Sequence, residues 1–404
     1  MMATATEITA GQPLGARRRP VLALVLTGGG ARSAYQVGVL RALAEILPRA
    51  RNPFQIIVGT SAGAVAASVL AAEAHVWRQG VAGLLRVWSN FRTAQVFHVD
   101  PAHMVRSGLH WVLALLSGGL LLSPPKSLLE TEPLAALLAR EIDCTGIRRS
   151  IARGHLRACA LCATSYANGQ SVAFFDGVPE LSEWTRAQHM GRRSELSHAT
   201  IRASSAIPLL FTPVKLGEEY FGDGSMRQLS PLGPAVHLGA DRLLILGVRS
   251  PQSRGVAGAR PATLPSPGEV LGFMLDTLFT DQIYGDLERI ERMNQLVRAA
   301  PQAPGLRPVE TLMIAPSIDP SEIAARHVAD LPPGLRALLR VLGGRPEVPG
   351  HQLTSYLAFE APYTRALIEL GYRDAMRSRT TLRAFATGEP LQPASGAAGV
   401  TQVS

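Results

Sequence analysis

Short continuous apolar runs alternate along the chain with stretches of helical period, and glycine-rich turns separate the two. Val21–Leu26 (VLALVL) is an unbroken apolar run of the kind a strand buried on both faces requires. Gly28–Gly30 interrupts it, and Ser33–Leu47 then places Val37, Leu40, Ala44 and Leu47 at helical spacing. Phe54–Val58 reads as a second strand, Gly59–Gly63 as a tight turn, and Ala64–Ala72 as a helix of small residues. Leu156–Ala163, Ser171–Phe175 and Arg242–Val248 are further strand candidates. Strands alternating with helices predict an α/β fold, with a mostly parallel central sheet sandwiched by helices.

The same pattern divides the chain. Residues 1–20 are small and polar and read as a flexible arm, and residues 21–250 carry the alternating elements. Composition shifts near Ser250: Gln252–Gly268 is rich in Gly, Pro and Ser without periodicity, so 251–268 reads as a linker or mobile loop. Glu269–Val297 is helical, with Leu271, Met274, Leu275 and Leu278 on one face; Leu312–Ala315 reads as a strand and Tyr356–Ser378 as a helix. Residues 269–390 therefore form a mainly helical C-terminal extension, and 391–404 a tail. There is no internal repeat.

Composition narrows the class. At 404 residues, 47% hydrophobic and 18% charged, the chain is not a disordered one. Three cysteines support no disulfide framework and fit a reducing compartment. Cys159 and Cys162 fall three apart within a strand, on opposite faces, which argues against a redox or zinc pair. The net charge of +9 is almost all arginine, Lys126 and Lys215 being the only lysines. The arginines are scattered rather than gathered in a stripe, which argues against nucleic acid. Attraction to an anionic membrane surface is the better use of that charge. Leu109–Leu122 has 14 residues broken by Gly118-Gly119, against the roughly 20 that a spanning helix needs. A core helix and a segment lying in a lipid interface are both open readings of it. The apolar run after Arg17–Pro20 is too short and glycine-broken for a signal peptide. A cytoplasmic protein is expected, with peripheral membrane attachment open and oligomeric state unmarked.

Three segments carry candidate chemistry. Gly59-Thr60-Ser61-Ala62-Gly63 is a G-x-S-x-G between a strand and a helix, a turn that projects a serine hydroxyl outward. Thr27-Gly28-Gly29-Gly30-Ala31-Arg32 also joins a strand to a helix, and its backbone N–H groups could receive a developing oxyanion or a phosphate. It lacks both the full G-x-G-x-x-G spacing and the Lys-Ser/Thr pair of a P-loop. Gly222-Asp223-Gly224 places a carboxylate on a tight turn, which alone reads as an ordinary Asp-Gly turn. His237, His327 and His351 lie downstream of Ser61 in no suggestive setting. No zincin or EF-hand pattern occurs, so no metal and no cofactor is expected.

Taken together, the three segments resemble the patatin-like phospholipase family. The resemblance extends to Ala23–Leu43 (ALVLTGGGARSAYQVGVLRAL), Ala203–Pro213 (ASSAIPLLFTP) and Gly222–Leu232 (GDGSMRQLSPL), and covers about Val21–Ser250. Tyr363–Ala375 is similar to the C-terminal extension of some bacterial members. The resemblance implies a Ser–Asp dyad hydrolase acting on acyl lipids such as phospholipids and lysophospholipids. In it Ser61 would be the nucleophile, Asp223 the base, and the Gly28, Gly29 and Gly30 N–H groups the oxyanion hole. Arg32, just beyond, would be a candidate substrate contact. Gly59, Thr60, Ala62, Gly63 and Gly224 complete the motifs. Ser33 and Ser225 depart from the family's commoner glycine and small apolar residues. Acyl transfer to an alcohol on the same dyad, and a catalytically quiet membrane-recruitment scaffold, are the alternatives.

Overall fold

The computed structural model describes residues 20–47, 52–98, 113, 127–228, 230–250, 264–300, 306–342, 352–389 and 400–403. Of the expected segments, the arm before residue 20, most of the 251–268 linker and all of Leu109–Leu122 except Leu113 lie outside these residues.

Strands β1 (Leu22–Leu26), β2 (Ile56–Thr60), β3 (Ala158–Ser165), β4 (Ser171–Gly177), β5 (Trp184–Thr185), β6 (His189–Arg193), β7 (Val214–Leu216), β8 (Glu219–Asp223), β9 (Arg242–Leu246), β10 (Glu310–Ile314) and β11 (Val400–Val403) form one mixed sheet. Its order is β11-β10-β9-β1-β2-β3-β4-β6-β5, with β8 paired to β3 and β7 to β8. The five strands β10-β9-β1-β2-β3 run parallel, in register Leu24↔Ile57, Leu24↔Leu244 and Val58↔Ala160. Alternation along each strand feeds two cores. Leu22, Leu24 and Leu26 enter one, while Ala23 and Val25 enter the other. Cys159 and Cys162 divide the same way, as their spacing requires, and burial pushes the Cys162 thiol up to about 12.

Helices cover both faces. Those that position the site are α1 (Ala34–Ile46), α2 (Ala62–Ala72), α3 (Trp77–Trp88), α4 (Glu132–Glu141), α5 (His198–Ser204), α6 (Pro267–Asp276), α7 (Gln282–Ala299), α8 (Gln352–Leu357) and α9 (Ala361–Arg377). One of the expected helices carries a bulge and the other is broken. Glu269–Val297 is α6 and α7 joined by a π-helical turn, Thr277–Asp281. Tyr356–Ser378 divides after Leu357, because Pro362, lacking an N–H, takes the first turn of α9. Strand β10, Glu310–Ile314, begins two residues before the expected Leu312–Ala315 and ends one before it, and it extends the same sheet as the N-terminal half. Among the described residues no helix is long and apolar enough to cross a membrane.

The two halves meet where α9 lies on α1. A side chain at Gly38 would collide with the Ile368 carbonyl, and one at Gly371 with the Tyr35 carbonyl. Tyr35 donates to Asp374 Oδ2 at 3.2 Å, and Asp374 also accepts the Ser317 N–H at 2.9 Å and hydroxyl at 2.7 Å. In a free helix, Gly371→Ala would gain about 1 kcal/mol from helix propensity. Here overpacking against backbone costs about 1–3 kcal/mol or more and wins. Gly371→Ala is therefore expected to lower the melting temperature by several degrees in thermal denaturation.

Candidate active site

Ser61 stands between β2 and α2 at φ 56° and ψ −128°, a left-handed backbone for a residue with a side chain. Holding it there costs on the order of 1–3 kcal/mol, and close packing on both sides supplies the constraint. A Cβ at Gly59 would sit 2.5 Å from the Gly63 carbonyl oxygen and 2.6 Å from Ala67 Cβ. A Cβ at Gly63 would strike the Leu26 carbonyl at the end of β1. The elbow thus needs both glycines to let α2 lie against β1 and β2. Two further serines, at the end of α5, grip the Ser61 backbone. The Ser61 N–H donates to Ser204 Oγ at 3.0 Å, and Ser204 in turn donates to the Cys162 carbonyl at 2.6 Å. Ser205 donates to the Ser61 carbonyl at 3.1 Å, and Thr60 donates to Gln228 at 3.0 Å.

Asp223 ends β8, opposite Ala163 of β3. Its N–H donates to the Ala206 carbonyl at 2.8 Å, and its carbonyl accepts the Thr164 hydroxyl at 2.9 Å. A side chain at Gly224 would meet the Cys162 carbonyl, and Thr60 Cγ2 at 2.9 Å. The absent side chain lets the β8 turn close on the end of β2. The Asp223 carboxylate is 1% exposed. Its Oδ1 accepts the Ser225 N–H at 2.9 Å, while Oδ2 is buried with no hydrogen-bond partner. Burial pushes its pKa up to about 6, against the pull of the nearby Ser61 hydroxyl and the Ser225 donors.

The glycine loop leaves β1 beside these groups. Gly30, at φ 52°, lies under the Tyr356 carbonyl, which occupies the place of a side chain. Gly28 is covered by Phe279, 2.6 Å from where its Cβ would be, and Gly29 by Val248. Gly30 and Ser61 share the wall of an apolar cavity of about 90 Å³ that runs beside α2, past Val65 and Val69, between α3 and α4. The Arg86–Glu141 ion pair, 2.7 Å long, is part of the same wall. Gly28 faces a separate small cleft, with Ser225 and Phe279. Arg32 is fully buried, and its guanidinium is engaged by Asp276, Ser355, Tyr356 and Gln352, none of which lines the Ser61 cavity.

Among the described residues no histidine lines that cavity. His237 stacks on Trp184 with centroids 4.8 Å apart, burial holding its pKa down to about 4. His327 pairs with Asp330 at 3.0 Å, and His351 lies outside the described residues. His98, Glu130 and Glu132 bring three potential ligand atoms within 4.8 Å of one another, but all are exposed and none lines the cavity. Ser204, Ser205 and Gln228 belong to the site; they fall in Ala203–Pro213 and Gly222–Leu232, which carried the resemblance without assigning them a role.

The patatin-like phospholipase family matches residues 24–236, which contain Gly28–Gly30, Ser61 and Asp223. The chain belongs to this family. It is 42% identical over 74 residues to patatin-like phospholipase domain-containing protein 7 of Mus musculus, a match covering 16% of this chain and 5% of the mouse protein. Among solved structures it is similar to human GIVD cytosolic phospholipase A2 in complex with methyl gamma-linolenyl fluorophosphonate. That similarity has a TM-score of 0.43 and 15% identity, over 91% of this chain and 59% of that one. VipD from Legionella pneumophila is similar at a TM-score of 0.35 and 13% identity, over 90% and 67% of the two chains. The chain thus spans about three fifths of the human phospholipase chain and a small part of the mouse protein.

In this patatin-like phospholipase family member the buried carboxylate has a thermodynamic consequence. Asp223 has a folded pKa of about 6, above its ordinary value. Its neutral form is therefore favoured by folding, with that stabilisation fully present below about pH 4 and lost as pH rises through about 6. Asp223→Asn keeps the group neutral at every pH. It is expected to raise the unfolding free energy by up to about 3 kcal/mol at pH 7.5 and by little at pH 4. Paired denaturant melts at the two pH values check this.

Proposed function

We propose that the chain is a lipid acyl hydrolase in which Ser61 attacks an ester carbonyl and Asp223 takes the serine proton. The observation that carries this reading is the buried, unpartnered Asp223 Oδ2 beside a backbone-strained serine that opens onto an apolar cavity. Ser61 Oγ bonds to the carbonyl carbon as its proton passes to Asp223, and the carbonyl oxygen takes up negative charge. The Gly28, Gly29 and Gly30 N–H groups are read as its donors. Collapse expels the alcohol, which leaves with the proton from Asp223. Water then attacks the acyl-enzyme, Asp223 takes its proton, and that proton returns to Ser61 as the fatty acid departs. A base with a pKa of about 6 is far closer to working pH than an ordinary aspartate. We read residues 21–250 as the catalytic portion, the cavity between α3 and α4 as the acyl-chain site, and an anionic lipid surface as the place of action.

A fluorophosphonate probe is expected to label the wild type and not Ser61→Ala. Labelling that persists in Ser61→Ala would remove the serine from its role. On a soluble short-chain ester, kcat/KM is expected to fall on the acid side with a single apparent pKa near 6, tracking Asp223. A titration near 4 instead would show that Asp223 keeps an ordinary carboxylate pKa despite its burial.

Gly83 of α3 lines the same cavity, and beyond its chain neighbours and its own helix backbone no atom lies within 4 Å of where its Cβ would stand. Gly83→Leu is therefore expected to fill the acyl site without disturbing the fold. Hydrolysis of p-nitrophenyl palmitate should drop by about tenfold or more, a loss comparable to a methylene-scale pocket change, while the butyrate ester is cleaved near the wild-type rate. Equal loss on both esters would place the acyl chain elsewhere.

A further inference from the structure

Arg32 lies two residues beyond Gly30, yet every hydrogen bond of its guanidinium goes to residues far beyond the family-matched 24–236. Nη1 donates to Asp276 Oδ1 at 2.8 Å and to the Tyr356 hydroxyl at 3.0 Å, Nε donates to Ser355 Oγ at 2.8 Å, and Nη2 donates to Gln352 Oε1. The Tyr356 hydroxyl donates to the same Asp276 oxygen at 2.7 Å, and its ring lies 3.9 Å from the guanidinium. Arg249 stands 3.7 Å from the other Asp276 oxygen.

The same two elements shape the glycine loop directly. The Tyr356 carbonyl fills the place of a Gly30 side chain, and Phe279, in the turn that follows Asp276, covers Gly28. A buried ion pair adds little net stability compared with apolar packing, whereas its directional bonds fix one geometry. What this one fixes is the loop that carries Arg32.

We propose that Asp276 is a positioning residue for the acyl-transfer step: through Arg32 and Tyr356 it fixes the orientation of the Gly28–Gly30 backbone N–H groups. The proposal rests on the reading of Ser61 and the glycine loop given above. Oxyanion donors act only when charge develops, and they must stand about 2.7–3.1 Å from it. Loosening them therefore lowers kcat and leaves ground-state binding alone.

The test uses the full chain with Asp276→Asn, which keeps the shape and removes the charge. Two quantities are followed with a fluorophosphonate probe: the fraction of chains finally labelled, which counts folded sites, and the rate constant of labelling per competent site. The final fraction is expected to stay near that of the wild type while the per-site rate falls by about tenfold or more, the scale of a compromised oxyanion donor. On p-nitrophenyl butyrate, kcat should fall by a similar factor with KM within about twofold. The acid limb near pH 6 should not move. A wild-type per-site rate overturns the proposal, whatever the final fraction, because a merely structural role changes only how many sites are competent. If Asp276→Asn does not fold, Tyr356→Phe decides. It removes the hydroxyl that accepts from Arg32 and donates to Asp276, and keeps the direct Arg32–Asp276 bond and the backbone contact on Gly30. A per-site rate lowered about threefold or more supports the proposal, and an unchanged one overturns it. Ser61→Ala in parallel separates the two claims: label persisting there defeats the nucleophile, whereas a wild-type Asp276→Asn rate with label confined to Ser61 defeats only the positioning role.

Discussion

A carboxylate held out of water with one oxygen unpaired opposes folding, and much of the surrounding packing is arranged around Asp223. The β8 strand pairs back onto β3, Gly224 lets the turn press against the Cys162 carbonyl, and the Asp223 N–H is tied to Ala206. The segment that holds Asp223 from that side also supplies Ser204 and Ser205, which clamp the Ser61 backbone in its left-handed conformation. Two unfavourable features, a desolvated acid and a strained serine, are thus kept in place by one short stretch, residues 204–206.

Much of this was legible in the sequence, because glycine requirements are local. Gly59, Gly63 and Gly224 each mark a place where a backbone carbonyl occupies the space a side chain would need, and such a need is written at the position itself. The apolar runs likewise mark β1, β2, β3 and β9, since a strand buried on both faces has no polar position to confuse the pattern. Periodicity was silent on features whose cause is distant. The helix read across Glu269–Val297 is present, and what the pattern did not show is its π-helical turn, which sets Phe279 over Gly28, 251 positions away in sequence. Pro362 was a local signal for the break before α9, and the apolar spacing around it masked its meaning. The serines at the end of α5 fall in Ala203–Pro213, a segment that carried the resemblance but assigned them no role, and the partners of Arg32 carry no local mark at all.

The residues beyond 264 are joined to the N-terminal half at three levels. They add β10 and β11 to the sheet, they pack α9 backbone-to-backbone on α1, and they surround the Arg32 guanidinium. The family-matched region 24–236 therefore holds the groups placed at the site, while part of the packing behind the glycine loop comes from outside it.

The far edge of the sheet has a different bearing on the protein's life in solution. β10 is a strand of interior character, Thr311–Ile314 being buried throughout, and β11 runs antiparallel along its outer side from Ile314↔Val400 to Thr311↔Val403. Uncovered, such a strand offers a row of unpaired N–H and C=O groups to any extended chain that meets it. Four residues of backbone occupy that row, and the opposite margin ends in β5, only two residues long. Both ends of this strand order are thereby poor templates for strand addition.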